Sequence, residues 1–470
     1  MATPPRTLLN SRKAWLAAAA LLVGLAVLSQ VRVVESRRPA GRIADLASLR
    51  EREDVNVLFI LIDTLRADRL SAYGYERPTS PGLDALAATG IRFARVEAQS
   101  SWTKCSMASL WTGLYPRRSG ILRFDHALPD AAILASERFQ EAGFRTAGII
   151  RNGWVAPNFG FGQGFDLYMR PTPSRTPEKV QRAVRGGHAL RGTDLDATEA
   201  ALEFLRASGE ERFLLYVHYM DVHQYLYDQV AAGLRFGTSY SDAYDSSIHW
   251  VDRHVGRLLG ELDDLDLARR TVVVVASDHG EGFYEHGHEG HARTLYREVT
   301  HVPLFLGLPF RLEEPLVVDA LVRNVDIWPT VLDLLGLESL PATDGQSLVP
   351  LIEASASGAP TEDFAPEYAR AYLDRNWGRT DREPDPLLSI RSGRERLVLP
   401  LADPARAELY DHESDPTEQH DIAAQATERA ERLGALAQEP LAAGPWGDSP
   451  RIEIDGFRLE QLRALGYAVP

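Results

Sequence analysis

Four near-continuous aliphatic runs punctuate the chain: Val55–Ile62, Phe213–Val217, Thr271–Ala276 and Val302–Leu306. A run of this length without polar alternation predicts a strand buried on both faces of a sheet. Between the runs lie helical patterns, the clearest being Ile248, Val251, Val255, Leu258, Leu259 and Leu262, which fall on one helical face. Buried strands alternating with amphipathic helices predict an α/β fold, a large mostly parallel sheet sandwiched by helices. The texture changes after Glu353. Ala354–Pro366 reads as a linker, Leu387–Leu399 as strand, Tyr410–Pro416 as turns and Ile422–Ala437 as helix, together a small α+β C-terminal subdomain.

The N-terminus carries a different pattern. Arg6, Arg12 and Lys13 precede an uncharged apolar run, Ala14–Leu28, and Arg32 follows. That is the layout of a secretory signal or a single N-terminal anchor over residues 1–35, with a polar tether over 36–53. Basic residues ahead of the run put the rest of the chain outside the cytoplasm, periplasmic or secreted; cleavage and anchoring both stay open.

Composition narrows the classes. The 66 acidic and 51 basic side chains leave a net charge of −15, which argues against a general nucleic-acid binder. An anionic substrate stays compatible, because a bound divalent cation reverses the field locally. The single cysteine, Cys105, excludes an intramolecular disulfide.

Chemistry gathers where strands end. Ile62 runs into Asp63, Ala276 into Ser277-Asp278-His279-Gly280, and Val217 into a segment holding Asp221 and His223. In open α/β sheets the ligand site lies beyond the carboxyl ends of the strands. Two carboxylates and one imidazole on rigid elements suit a divalent cation. The loop Glu281–His291 adds three histidines and three glycines, side chains able to donate to an anionic ester, protonate a leaving group or bind metal.

The segment from Ser101 to Pro116 resembles the signature of the sulfatase family within the alkaline phosphatase superfamily, C/S-x-P-S-R followed by L-x-T-G. Anchored on Leu110-Trp111-Thr112-Gly113, the nucleophile position is Thr103 and the family serine Ser106, with Cys105 at the proline and Met107 at the arginine. Asn56–Asp68 is similar to the first metal-binding strand, Asp221-Val222-His223 to the D-P-H segment, and Ser277–Gly280 to the second metal motif. Leu295–Leu304, Glu408–Pro416 and Leu462–Tyr467 resemble later landmarks. The resemblance implies a catalytic domain over 54–353, a C-terminal subdomain over 354–440 and a tail over 441–470.

It also implies a metal-dependent hydrolase of sulfuric, phosphoric or phosphonic esters. One divalent cation (Ca, Mg, Mn or Zn) would be held by Asp63, Asp278 and His279, with Thr103 as the metal-bound nucleophile. Lys104, His223 and His291 would surround the non-bridging oxygens, and His223 or His286 would protonate the leaving group. A second metal through Asp221, His223 and His286 is the arrangement of two-metal phosphatase relatives. The substrate would be a small-molecule, glycan or lipid sulfate or phosphate ester, with membrane contact only through an uncleaved N-terminus. Three departures stand out: Thr103 cannot become the formylglycine of the main sulfatases, Thr64 replaces the second of the paired aspartates, and no lysine lies near Ala292. They leave two alternatives: an extracytoplasmic phospho-headgroup transferase, and a metal-binding relict without turnover.

Overall fold

The computed structural model describes residues 37–171, 193–224, 235–379, 381–439, 441–442 and 444–453. The apolar run Ala14–Leu28 and the ending Leu462–Tyr467 lie outside them, and among the described residues no helix is long and apolar enough to cross a membrane.

The main sheet has eight strands: β1 (Asn56–Ile62), β2 (Ile91–Glu97), β3 (Arg145–Ile149), β4 (Leu167–Met169), β5 (Phe213–Tyr219), β6 (Thr271–Ala276), β7 (His301–Gly307) and β8 (Leu316–Arg323). Their spatial order is β8-β2-β7-β6-β1-β5-β3-β4. All run parallel except β7, which is antiparallel to both β6 and β2. The aliphatic runs follow from this: in β1, Val57, Phe59 and Leu61 enter one core while Leu58, Ile60 and Ile62 enter the other. The helix Tyr240–Asp264 covers the second core with Ile248, Val251, Val255, Leu258 and Leu262, the predicted stripe.

The C-terminal region is an antiparallel sheet of β9 (Tyr368–Asp374), β10 (Pro386–Ser392), β11 (Glu395–Pro400) and β12 (Glu408–Asp411), covered by the helix Thr427–Gln438. The predicted strand Leu387–Leu399 is two strands, because the turn at Gly393 (φ 55°) folds one apolar run back on itself. The expected boundary at 353/354 falls inside a helix, Val349–Ser357. Glu97, at the end of β2, pairs with Arg391 at 2.5 Å and Arg396 at 2.8 Å, so buried charge ties the smaller sheet to the larger one.

Candidate active site

Four adjacent parallel strands, β6, β1, β5 and β3, deliver polar residues at their carboxyl ends. Asp63 follows β1, and Asp278 and His279 follow β6; all three are fully buried, with ligand atoms within 4.8 Å of one another. Among the described residues this is the one group of three or more acids, histidines or cysteines so arranged. Gly280 is required behind it, since a Cβ there would lie 2.1 Å from the Glu298 carbonyl oxygen.

Thr103 opens the helix Thr103–Thr112, whose ten residues are all buried. The helix stops at Gly113 (φ 69°), where a Cβ would meet the Thr343 hydroxyl at 2.3 Å; the Thr-Gly pair is thus a helix end packed against a neighbour. Thr103 Oγ1 is 3.1 Å from His279 Nε2. His279 Nδ1 donates to the Gly280 carbonyl at 3.0 Å, so Nε2 is the nitrogen that faces the cluster. Ser106 donates to the Asp278 carbonyl at 2.7 Å, joining this helix to the metal motif.

The donor set fits a divalent cation. Asp63 Oδ1 and Asp278 Oδ2 are buried and accept no hydrogen bond from any described residue, an expensive arrangement for carboxylates unless a cation faces them. Burial and the charge of Asp63 push the Asp278 carboxyl upward. Burial acts the same way on Asp63, but the hydrogen bond from His218 and the neighbouring imidazoles outweigh it and hold that carboxyl low. His279 is raised, the two carboxylates outweighing its burial.

Thr64 does not take the place of a second aspartate. Its hydroxyl donates to the Asp63 carbonyl at 2.7 Å, while its N–H reaches Asp278 Oδ1 at 3.3 Å. The residue is held at φ 60°, a conformation costing about 1–3 kcal/mol for a non-glycine and concentrated at functional sites.

His223 and His291 stand beside the cluster. The His291 ring lies 4.6 Å from that of His279 and 4.8 Å from that of His223. Glu281 contacts His291 Nδ1 at 3.0 Å. Desolvation pushes His223 down to about 4, which favours the neutral imidazole at ordinary pH.

Three expectations are corrected. Lys104 is turned away: its Nζ donates to the carbonyls of Phe124 (2.5 Å) and His126 (2.6 Å) and sits 3.9 Å from the centre of the Phe159 ring. A helix's first two residues point about 100° apart, so Thr103 and Lys104 cannot both face the cluster. His286 is also elsewhere. Its Nδ1 lies 2.8 Å from Glu298, its Nε2 lies 2.7 Å from the Glu418 carbonyl, and its ring stacks on Tyr296 at 3.8 Å. The second metal site is not formed, because Asp221 binds Arg151 at 2.6 Å, the Asp194 N–H at 2.9 Å and the Trp250 indole at 3.0 Å. Cys105 is buried in the apolar core, and burial pushes its thiol up to about 12.

Asn152, His218, Tyr216 and Glu281 belong to none of the site motifs named above, yet all four adjoin the cluster or its neighbours. Asn152 follows β3 and donates to Asp63 Oδ2 at 2.6 Å; the rule that found Asp63, a polar residue just past a strand, would have found it had the short run at Thr146–Ile150 read as a strand. His218 donates to the same oxygen at 3.0 Å; it follows the aliphatic run Phe213–Val217 directly and still belongs to β5.

An open, mostly parallel sheet with two carboxylates, an imidazole and a hydroxyl converging past its strand ends is an α/β hydrolase architecture of the alkaline-phosphatase-like kind, with a candidate site for a divalent cation. The sulfatase family model matches residues 55–337, more than half of the chain, and the model for the N-sulphoglucosamine sulphohydrolase C-terminal region matches 284–439. The chain belongs to the sulfatase family of hydrolases. It is 34% identical to mouse steryl-sulfatase over 192 residues, covering 38% of this chain and 30% of that one. It is 23% identical to an N-acetylgalactosamine-6-O-sulfatase of Bacteroides thetaiotaomicron over 82% of this chain and 92% of the relative. A solved 2-O GAG sulfatase superimposes with a TM-score of 0.67 at 19% identity, over 87% of this chain and all of the other. The phosphonate monoester hydrolase of Agrobacterium radiobacter superimposes with a TM-score of 0.61 at 21% identity, over 81% of this chain and 94% of the other.

Proposed function

We propose that this protein hydrolyses sulfate esters or closely related phosphate and phosphonate esters, with Thr103 as nucleophile. The observation that carries this reading is the approach of the Thr103 hydroxyl to His279 Nε2 beside two buried carboxylate oxygens that accept no hydrogen bond from any described residue. A divalent cation held by Asp63, Asp278 and His279 would supply Lewis-acid polarisation and make the adjacent hydroxyl more acidic.

The protein's own groups do the rest. The amides of the first turn of Thr103–Thr112 favour negative charge at that end of the helix. Thr103 Oγ, having given its proton to water, forms a bond to the ester sulfur or phosphorus. The ester oxygen departs with its electron pair and takes a proton from His223, whose pKa rises once the anionic substrate is beside it. His291, oriented by Glu281 through Nδ1, donates to a non-bridging oxygen only once its second ring nitrogen is protonated, which the anionic substrate beside it favours. The resulting threonine ester bears no second hydroxyl through which to collapse to a carbonyl, so water attack must release the acid group.

Sulfated sugars are the first substrate class to test, given the relatives named above, and the basic-apolar N-terminus supports a site of action outside the cytoplasm. The experiment is a panel of aryl sulfate, phosphate monoester, phosphate diester, phosphonate and sulfated-sugar substrates under defined divalent metals. Turnover of at least one, reduced about a thousandfold or more by Thr103→Ala, is expected; a substitution without effect on turnover rejects the assignment.

A further inference from the structure

The two oxygens of Asp63 have different surroundings. Oδ2 accepts from Asn152 at 2.6 Å and from His218 Nε2 at 3.0 Å, while Oδ1 is buried with no donor from any described residue. His218 is the penultimate residue of β5 and is fully buried. Two positions earlier, on the same face of the strand, the Tyr216 hydroxyl lies 2.7 Å from His218 Nδ1. An ionised carboxylate can only accept, so Nε2 carries a proton; the Tyr216 hydroxyl, carrying its own proton, meets the ring's other nitrogen, Nδ1. Burial pushes the Tyr216 phenol upward, so that proton stays in place. The Tyr216 ring is itself clamped, stacked on Phe59 at 5.5 Å and edge-on to Trp111 at 5.1 Å.

We propose that Tyr216 and His218 are positioning residues that lock Asp63 as a one-oxygen ligand and thereby set the affinity of the cation site. The proposal rests on reading Asp63, Asp278 and His279 as that site. The torsion that turns a carboxylate about its last bond is broad and roughly two-fold, so an Asp63 with no donors on Oδ2 could swing or offer both oxygens. The relay removes that freedom by fixing one oxygen against the strand next door, and it anchors the fixing group in an aromatic core that cannot rearrange cheaply. Outer-shell partners of this kind are worth about ten- to a hundredfold in metal affinity. The usual arrangement is a carboxylate orienting a ligating histidine; here the roles are exchanged.

The test is calorimetric titration of the chelator-treated full chain with Mn²⁺ and, separately, Zn²⁺, with circular dichroism recorded on each variant. His218→Leu is expected to weaken binding about ten- to a hundredfold. His218→Gln retains an N–H able to reach Asp63 and should fall between His218→Leu and wild type. Tyr216→Phe, nearly isosteric and leaving the fold intact, should weaken binding by roughly threefold to tenfold, one hydrogen bond's worth. Wild-type affinity in folded Tyr216→Phe and His218→Gln overturns the relay alone. Failure of the wild type to take up a stoichiometric cation overturns the site reading and the relay with it.

Discussion

Thr103 Oγ1 and His279 Nε2 stand 3.1 Å apart, and His279 Nδ1 is already engaged with the Gly280 carbonyl. The hydroxyl is therefore in hydrogen-bond contact with the imidazole nitrogen that belongs to the cluster with Asp63 and Asp278, whose Oδ1 and Oδ2 respectively accept no hydrogen bond from any described residue. Ser106 reinforces the arrangement by bonding the same helix to the Asp278 backbone.

Two buried carboxylates facing each other repel until a cation separates them. Chelation should therefore lower the thermal midpoint of wild type, and readdition of metal at about a hundred times its Kd should return roughly 2.7 kcal/mol. Asp278→Asn removes one of the repelling charges, so it should raise the stability of the chelated protein while abolishing the response to metal. Differential scanning calorimetry with and without chelator measures both; a variant that keeps the wild-type response contradicts the ligand assignment.

Lys104 is a structural donor to two backbone carbonyls, and its replacement should behave accordingly. Lys104→Met strands the Phe124 and His126 carbonyls and should cost about 2–5 kcal/mol in urea unfolding. The folded fraction should keep kcat within about tenfold of wild type, whereas loss of an oxyanion donor would cost about a hundred- to a thousandfold. A large kcat effect in a stably folded variant would return Lys104 to the chemistry.

His286 ties the loop Glu281–His291 to the C-terminal region. Burial works against its charge, but the hydrogen bond and charge of Glu298 prevail and raise it from 6.5 to about 9. A histidine raised in the folded state contributes stability fully below its ordinary pKa and loses it as pH climbs through the folded value. The stability difference between wild type and His286→Ala should thus be largest near about pH 6 and shrink through pH 7–9, with little ionic contribution left above about 9.5. Thermal midpoints across that range check it; a difference that grows with pH contradicts the ion pair.

How much of this was legible beforehand depended on whether each side chain's setting was local. The convergence of Asp63, Asp278 and His279 is legible because a buried strand leaves the next residue almost no freedom, and the placement of Thr103 beside them because the helix end at Thr112-Gly113 fixes the register. The mostly parallel sheet followed from the same aliphatic runs. Lys104 was misassigned because adjacency in sequence says nothing about direction around a helix. His286 was misassigned because its partners, Glu298 and Glu418, come from distant segments. Tyr216 and His218 looked like sheet core, and only the position of Asp63 across the β1–β5 pairing reveals what they hold.

The most direct measurement is mass spectrometry of the peptide spanning Ser101–Arg117 after rapid acid quench during turnover of a slow ester. The mass of one sulfuryl or phosphoryl group on Thr103, absent in Thr103→Ala, is the predicted result. Formylglycine at Cys105, or turnover with residue 103 unmodified and its alanine variant fully active, would contradict the account.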